Sequence, residues 1–286
     1  MNATETFEQH RSTLIGAAYR ILGSRSDAED VVQDAWIRWS GVEHDTIDEP
    51  RAFLLTVTTR LALNRLRQLA TRKESYVGPW LPEPVATDPS ANGEAAAQLA
   101  DEVSMAMLIV LESLSPLERA AFVLTEVFGM SAPEVADALD RSPAAVRQLV
   151  HRARSHVEAR QPRHVVDERR HREITERFMA AAKGGDLSAL LEILSPDVVL
   201  VTDGGGVKQA ALRPIHGADR VLRWFAGVLE KPESETIDFE LRSVNGELAI
   251  VATTADGLDG VIFVTVEDDR ITALHGIRNP EKLGAV

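Results

Sequence analysis

The sequence predicts a multidomain protein: two all-α domains, the second ending in a helix-turn-helix, followed by an α+β domain with a curved antiparallel sheet. Three observations predict it. From Phe7 to Arg160 apolar residues recur at helical spacing behind N-capping residues. A Pro-rich stretch, Glu74 to Asn92, interrupts that pattern, and beyond Ser195-Pro196 the period drops to two. At 286 residues the chain exceeds one typical domain. The boundaries fall at residues 1–73 and 94–160 for the helical domains, 74–93 for the linker and 167–286 for the last domain.

Phe7 to Leu22 reads as the first helix, ended by Gly23. Ser26 with Glu29 forms a capping box for the next, whose core side carries Val31, Val32, Ala35, Trp36 and Trp39. Asp27, Asp30 and Asp34 recur at spacings of three and four and share the other side. They are either a solvated face near a helix N-terminus or a docking face for a basic partner. After a polar loop, Pro50 starts a long helix with Phe53, Leu54, Val57 and Leu61 inward. Thr56, Arg60, Asn64 and Arg67 share one stripe of it, beside Arg65. Such a stripe can hold an opened DNA strand by its phosphates and unstacked bases, though Arg-rich helix faces are commonly just solvated.

Pro79, Pro82, Pro84 and Pro89 keep the linker extended, yet Trp80, Leu81 and Val85 sit in it. Exposed apolar residues in such a segment mark either a docking site or a loop tucked onto its own domain. An Ala-rich helix from Glu94 to Glu112 follows, then a second capping box, Ser115-Pro116-Leu117-Glu118, and a helix closed by Gly129. Ser131 with Glu134 caps the first helix of the helix-turn-helix, the turn falls at Asp140-Arg141, and Ser142-Pro143 opens the second. Val146, Leu149, Val150 and Ala153 form its buried stripe. Arg147, Gln148, His151 and Arg152 face out, next to Arg141 and Ser142 at the turn. Arg and Gln can bond base edges in pairs and the remaining cations suit phosphates. The same geometry also serves helical hairpins that never meet DNA.

Gln161-Pro162 ends the helical part. Val165 to Lys183 and Leu187 to Leu194 read as helices separated by Gly184-Gly185, and Ala218 to Leu229 as a third. The strands are VVLVTD, TIDFELRSV, ELAIVATT, VIFVTVE and RITALHGI, with hairpin turns at Asn245-Gly246 and Asp268-Asp269. Helices followed by such a sheet imply a cavity where the two layers meet.

The net charge of −13 argues against a protein that coats nucleic acid non-specifically. The sum conceals two basic islands, Arg51 to Lys73 and Arg141 to His164, and an acidic stretch from Glu233 to Asp269 able to cover them. Absence of Cys excludes disulfides and thiolate metal sites and suits a reducing cytoplasm. The start lacks a signal-peptide pattern and no apolar run approaches bilayer length, so a cytoplasmic protein without membrane association is expected.

SDAEDVVQDAWIRW resembles the polymerase-docking segment of sigma region 2, PRAFLLTVTTRLALNRLR the helix that melts and reads a −10 element, and LSPLERAAFVL with the following helix-turn-helix sigma region 4, which reads a −35 element. In this order they are similar to the extracytoplasmic-function (group IV) sigma-70 family. WLPEP, DGGG and NPEKL resemble motifs of the class that carries a SnoaL-like (nuclear transport factor 2-like) cone-shaped domain after the sigma core. The resemblance implies core RNA polymerase and promoter DNA as partners, with Asp27, Asp30, Asp34 and Trp36 in or beside the docking helix. It implies that the C-terminal domain regulates the core in place of a separate anti-sigma factor. Trp80, Leu81 and Pro82, Asp203, Gly204, Gly205 and Gly206, and Asn279 and Pro280 would make the regulatory interdomain contacts. No cofactor, metal or catalytic residue is implied, and a small-molecule ligand in the C-terminal domain is compatible with the fold.

Two other functions compete. SnoaL-like folds include isomerases and cyclases with a pocket Asp or His, for which Asp203, His216 and His275 are the candidates. His275 shares an apolar phase with Ile271, Ala273 and Ile277 and so could be a pocket acid or base, but such a position is more often a hydrogen-bonded core histidine. DGGG reads better as a tight loop than as a phosphate cradle, since no P-loop Lys-Ser/Thr follows. A helix-turn-helix repressor with a sensor domain is the third reading, but it leaves the Arg51 to Lys73 stretch and the acidic stripe unused.

Overall fold

The computed structural model describes residues 3–87, 103–160, 167–230 and 236–286. The end of the linker to Asn92, the helix start at Glu94, the Gln161-Pro162 break and the helix start at Val165 lie outside the described residues. The chain divides into two compact units, residues 1–75 with 107–161 and residues 76–106 with 162–286. Both basic islands therefore fall in the first unit, apart from the last residues of the second island, and the linker falls in the second.

In the first unit α1 (Ala3–Leu22) buries Leu14, Ala17, Ala18, Tyr19 and Ile21 and stops at Gly23, whose φ of +70° reverses the chain. That reversal lets α2 (Arg25–Ser40) begin at once. Its cap is Ser24, whose hydroxyl accepts from the Asp27 N–H at 3.2 Å, so the helix is capped two residues before the box expected at Ser26. The long helix α3 is Pro50–Glu74. Its buried line runs through Leu54, Leu55, Thr58, Thr59, Ala62, Leu63 and Leu66, while Phe53, Val57 and Leu61, expected inward, are only half-buried. The face is rotated because α3 packs against neighbours on more than one side.

The helices that follow are α4 (Met105–Glu112), part of this unit from Met107 on, α5 (Pro116–Phe122), α6 (Ala132–Leu139) and α7 (Pro143–Glu158). After α5 the chain widens into a π turn, Val123–Val127, before Gly129 at φ +67°. The other two expected capping boxes, Ser115 with Glu118 and Ser131 with Glu134, are present. Asp140 makes the left-handed turn at φ +53°, and Ser142 caps α7 by accepting from the Ala145 N–H. α3 packs on α1, α2, α5 and α6, so the two stretches read as separate helical domains share one unit.

In the second unit α8 (Glu168–Gly184), α9 (Leu187–Ile193) and α10 (Ala218–Leu229) pack on a six-stranded sheet of order β2-β1-β6-β5-β4-β3. The strands are β1 (Leu194–Asp203), β2 (Ile215–His216), β3 (Asp238–Val244), β4 (Glu247–Thr254), β5 (Gly257–Glu267) and β6 (Arg270–Ile277). The sheet is mixed. β1 and β6 run parallel, whereas every other pairing is antiparallel as expected. A parallel neighbour requires a long crossover, and the chain from β1 to β6 supplies one through α10 and the β3–β5 meander. Asn245-Gly246 and Asp268-Asp269 carry positive φ at both positions, the backbone a two-residue hairpin of this twist demands.

Candidate DNA-contacting surfaces and linker clamp

On α7, Arg147, Gln148, His151 and Arg152 are exposed, as are Arg141 and Ser142. The cause is local: Val146, Leu149, Val150, Ala153 and Val157 spend the opposite face on the core. Arg152 Nε donates to Glu118 at 2.8 Å and Arg154 Nη2 to Glu126 at 2.7 Å, which fixes two of the helix's cations over α5 and the π turn.

On α3, Asn64 and Arg67 are exposed and bonded to each other at 2.6 Å, while Arg60 and Arg65 are engaged with other elements of the unit. Arg60 donates to the carbonyls of Ala138 at 3.0 Å and Asp137 at 2.5 Å, the C-terminus of α6, where a helix leaves acceptors unpaired and favours a cation. Arg51 donates to Phe128 O at 3.2 Å, and buried Arg119 to Ile21 O at 2.7 Å and to Glu112. Three arginines thus strap the 3–75 helices to the 107–160 helices. Arg65 grips Asp27 at 2.6 and 2.8 Å, so Asp27, expected on an open acidic stripe, is half-buried in an ion pair with a residue expected on DNA. Asp30 and Asp34 are exposed and Trp36 is half-buried against Phe7, ring centres 5.1 Å apart. Beside them Ile37 is 61% exposed, an apolar residue that the sequence reading did not single out.

The linker and the C-terminal domain build the tightest polar site. Asp203, fully buried at the end of β1, accepts from Tyr76 Oη at 2.5 Å, the Leu81 N–H at 2.9 Å, Lys282 Nζ at 2.7 Å and the Gly205 N–H at 3.2 Å. Lys282 Nζ also donates to Leu81 O at 2.6 Å and lies 3.4 Å from the Trp80 ring centre, a cation–π contact out of water. Asn279 Nδ2 donates to Tyr76 Oη at 2.8 Å, and the backbone N–H groups of Arg278 and Asn279 both donate to Asp203 O. Burial, then the Asp203 carboxylate, pushes the Tyr76 hydroxyl well above its ordinary pKa, so it remains a donor.

The glycines of the loop are there for proximity. A Cβ on Gly204 would sit 2.2 Å from Lys208 O, and one on Gly205, at φ +64°, 2.5 Å from Asn279 Cγ. Gly206 at φ +74° meets Val77. Leu81, Pro82 and Val85 are buried, and Pro280 is exposed. Further along, Asn245 Oδ1 accepts from the Val85 N–H, Asn245 N donates to Val85 O, and Ala86 N donates to Ala285 O at 2.7 Å. The linker is therefore bonded to the C-terminal domain along 76–87. Beyond the three motifs, Tyr76 and Lys282 enter the clamp without having been singled out in sequence, and Asn245, expected only as a hairpin-turn residue, also holds the linker.

The catalytic alternatives are displaced. Asp203 holds the linker. His216 is exposed. His275 is paired in register with Val201 and Phe263, whereas its neighbour Gly276 lines the cavity between helices and sheet, so His275 points to the other sheet face. The irregularity between Thr265 and Val266 shifts Ile271 out of phase with His275, which is why the alternation misled. Burial holds the His275 imidazole near 4, a neutral ring.

Residues 6–72 match the family description "Sigma-70 region 2", residues 104–157 "Sigma-70, region 4", and residues 175–274 "SnoaL-like domain". The chain is 40% identical, over 96% of its length and 91% of the relative's, to the ECF RNA polymerase sigma factor SigJ of Mycobacterium tuberculosis. The chain belongs to the extracytoplasmic-function RNA polymerase sigma factors. A probable ECF RNA polymerase sigma factor SigI of the same organism is 33% identical, over 96% of this chain and 92% of that one. The crystal structure of SigJ superposes with a TM-score of 0.78 at 37% identity, covering 98% of this chain and 97% of that one. The chain is thus a sigma factor with a SnoaL-like C-terminal domain, a transcription factor. No described helix of it is long and apolar enough to cross a membrane.

Proposed function

We propose that this sigma factor brings core RNA polymerase to its promoters through two surfaces and is held in check by its own C-terminal domain rather than by a separate anti-sigma factor. α7 would enter the major groove of the −35 element, with Arg141, Ser142, Arg147, Gln148, His151 and Arg152 contacting bases and phosphates. Arg60, Asn64, Arg65 and Arg67 of α3 would hold the melted −10 strand. Asp30, Asp34 and Trp36, with Asp27 behind them and Ile37 added, would dock on a basic polymerase surface in the cytoplasm.

One observation carries the reading. Arg60 and Arg65 are bound inside the first unit, to the α6 carbonyls and to Asp27. DNA contact by them requires that unit to open. A −10 and a −35 element lie far apart on one duplex, and two weak contacts gain affinity only when a rigid partner holds both at the right separation. Polymerase is that partner, and the net charge of −13 further weakens binding to DNA alone.

The C-terminal domain serves regulation rather than turnover. The cavity lining includes no histidine among the described residues, and its one carboxylate, Asp259, is ion-paired to Lys208 at 2.9 Å and Arg278 at 2.7 Å. Burial works against the Asp259 charge, but those two cations outweigh it and lower its pKa, which suits neither a general acid nor a base near neutrality.

Transcription in vitro with purified core polymerase tests the reading, comparing the full chain with one ended after about Val165. Promoter-dependent transcript that needs this protein, with a yield changed by the truncation, is the expected result. No transcript from any promoter with either chain would refute it. A footprint equally strong without polymerase would favour a conventional repressor.

A further inference from the structure

A cavity of about 500 Å³ opens between α8, α10 and the sheet of the second unit, inside the range typical of small-molecule sites. Its body is apolar and rich in rings: Phe178, Trp224, Phe225, Phe239, Ile250 and Ile262. Its polar end is the Asp259–Arg278 pair with Thr202.

The charge at that end does not balance. Asp259 Oδ1 takes Lys208, Oδ2 takes Arg278 Nε and Nη2, and Arg278 Nη1 reaches Gln209 O at 3.0 Å. Two cations therefore share one carboxylate. Among the described residues the lining has one further charge, Lys183, which is exposed and lies 3.8 Å from its own carboxylate partner, Asp238. Gly260 supplies room for the Arg278 stem, since a Cβ there would lie 3.0 Å from Arg278 Cγ.

The cavity wall and the linker clamp are the same two stretches of backbone. Thr202 lines the cavity and the next residue, Asp203, holds Tyr76, Leu81 and Lys282. Arg278 lines the cavity and the next residue, Asn279, bonds Tyr76. The Arg278 and Asn279 N–H groups both end on Asp203 O, at 2.7 and 3.0 Å. A group that draws the Arg278 guanidinium from Asp259 pulls on the backbone that completes the clamp.

We infer that the cavity binds a small apolar, ring-bearing molecule with a single acidic group, and that occupancy loosens the 76–87 linker from the C-terminal domain. This deepens the proposed self-regulation by naming the chemistry of its signal, and rests on that reading for its biological consequence. Isothermal titration of the full chain at pH 7 with 2-naphthoate and with the neutral 2-naphthalenemethanol tests the ligand class. The acid should bind at least tenfold more tightly, and Arg278→Gln should erase the difference. Because Arg278→Gln also removes one of the two cations on Asp259, Lys208→Gln, at a side chain 42% exposed, is the second variant and should narrow the difference. Hydrogen exchange of the Leu81 and Val85 amides, which end on Asp203 and Asn245, reads the coupling. It should quicken at least tenfold with naphthoate bound. No binding, equal affinity for acid and alcohol, or binding without faster exchange at Leu81 would each overturn the inference. None of these measurements uses polymerase, so their failure is separable from failure of promoter-directed transcription.

Discussion

Lys282→Met should release the linker. In the wild-type chain the Lys282 side chain is 7% exposed and its ammonium lies 2.7 Å from a carboxylate that is fully buried. Removing one partner of such a pair costs about 3–5 kcal/mol, because the other charge is left in a medium that cannot solvate it. Here Asp203 keeps three donors, Tyr76, Leu81 and Gly205, which places the cost at the lower end. The chain also has an escape: lifting the linker returns water to Asp203, so the cost cannot exceed the free energy of docking 76–87. A loss of about 3 kcal/mol corresponds to roughly 150-fold more of the open form. Exchange of the Leu81 amide measures that population directly, since its acceptor is Asp203 itself. Adding Asp203→Asn to Lys282→Met removes the stranded charge and should recover part of the protection. Less than fivefold faster exchange in Lys282→Met, or a double variant no better than the single, would refute the assignment of the clamp to this buried pair.

Arg60→Ala removes the donor from the α6 C-terminus and should separate α3 from α6. The chain has no Cys, so Gln33→Cys and Ser155→Cys accept a dye pair uniquely, and the expected outcome is lower transfer efficiency in the Arg60→Ala background. Gly204→Ala drives a methyl into Lys208 O and should cost the second unit about 1–3 kcal/mol by urea unfolding, whereas Gly227→Ala on α10, with nothing within 4 Å, should not. The fold binds neutral His275, whose pKa lies near 4 instead of 6.5. As pH falls through 6.5 the unfolded chain takes up the proton first, so the contribution is complete above that value and is lost toward pH 4. By pH 5 the loss is about 2 kcal/mol, and His275→Gln should flatten that part of the difference between unfolding at pH 7.5 and pH 5.

The helices were legible because their signals are local. Ser115 and Ser131 with their glutamates, Pro116 and Pro143 at first positions, and Gly23 and Gly185 at left-handed ends each act within one turn. The exposed face of α7 followed from the spacing of its buried residues. Ser24 was missed as a cap because Ser26 satisfies the same local pattern, and only the position of the Gly23 reversal decides between them. β2, two residues long, carries no period to detect. Ile271 does not share the His275 face as the alternation suggested, because one irregularity in the ladder shifts its phase, whereas Ala273 and Ile277 keep theirs.

By itself the sequence determined the order of the modules, the helix-turn-helix with its exposed basic face, and the positions of the three motifs, since capping, periodicity and turn chemistry depend on residues a few positions apart. Only the tertiary structure decided which charges are free. Arg60 on α6, Arg65 on Asp27 and Lys282 on Asp203 are pairings across 77, 38 and 79 residues. No local rule selects such partners. They are set by which helix ends and strand ends the packing brings together, and where that contact is buried, as at Asp203, an unpaired charge is costly.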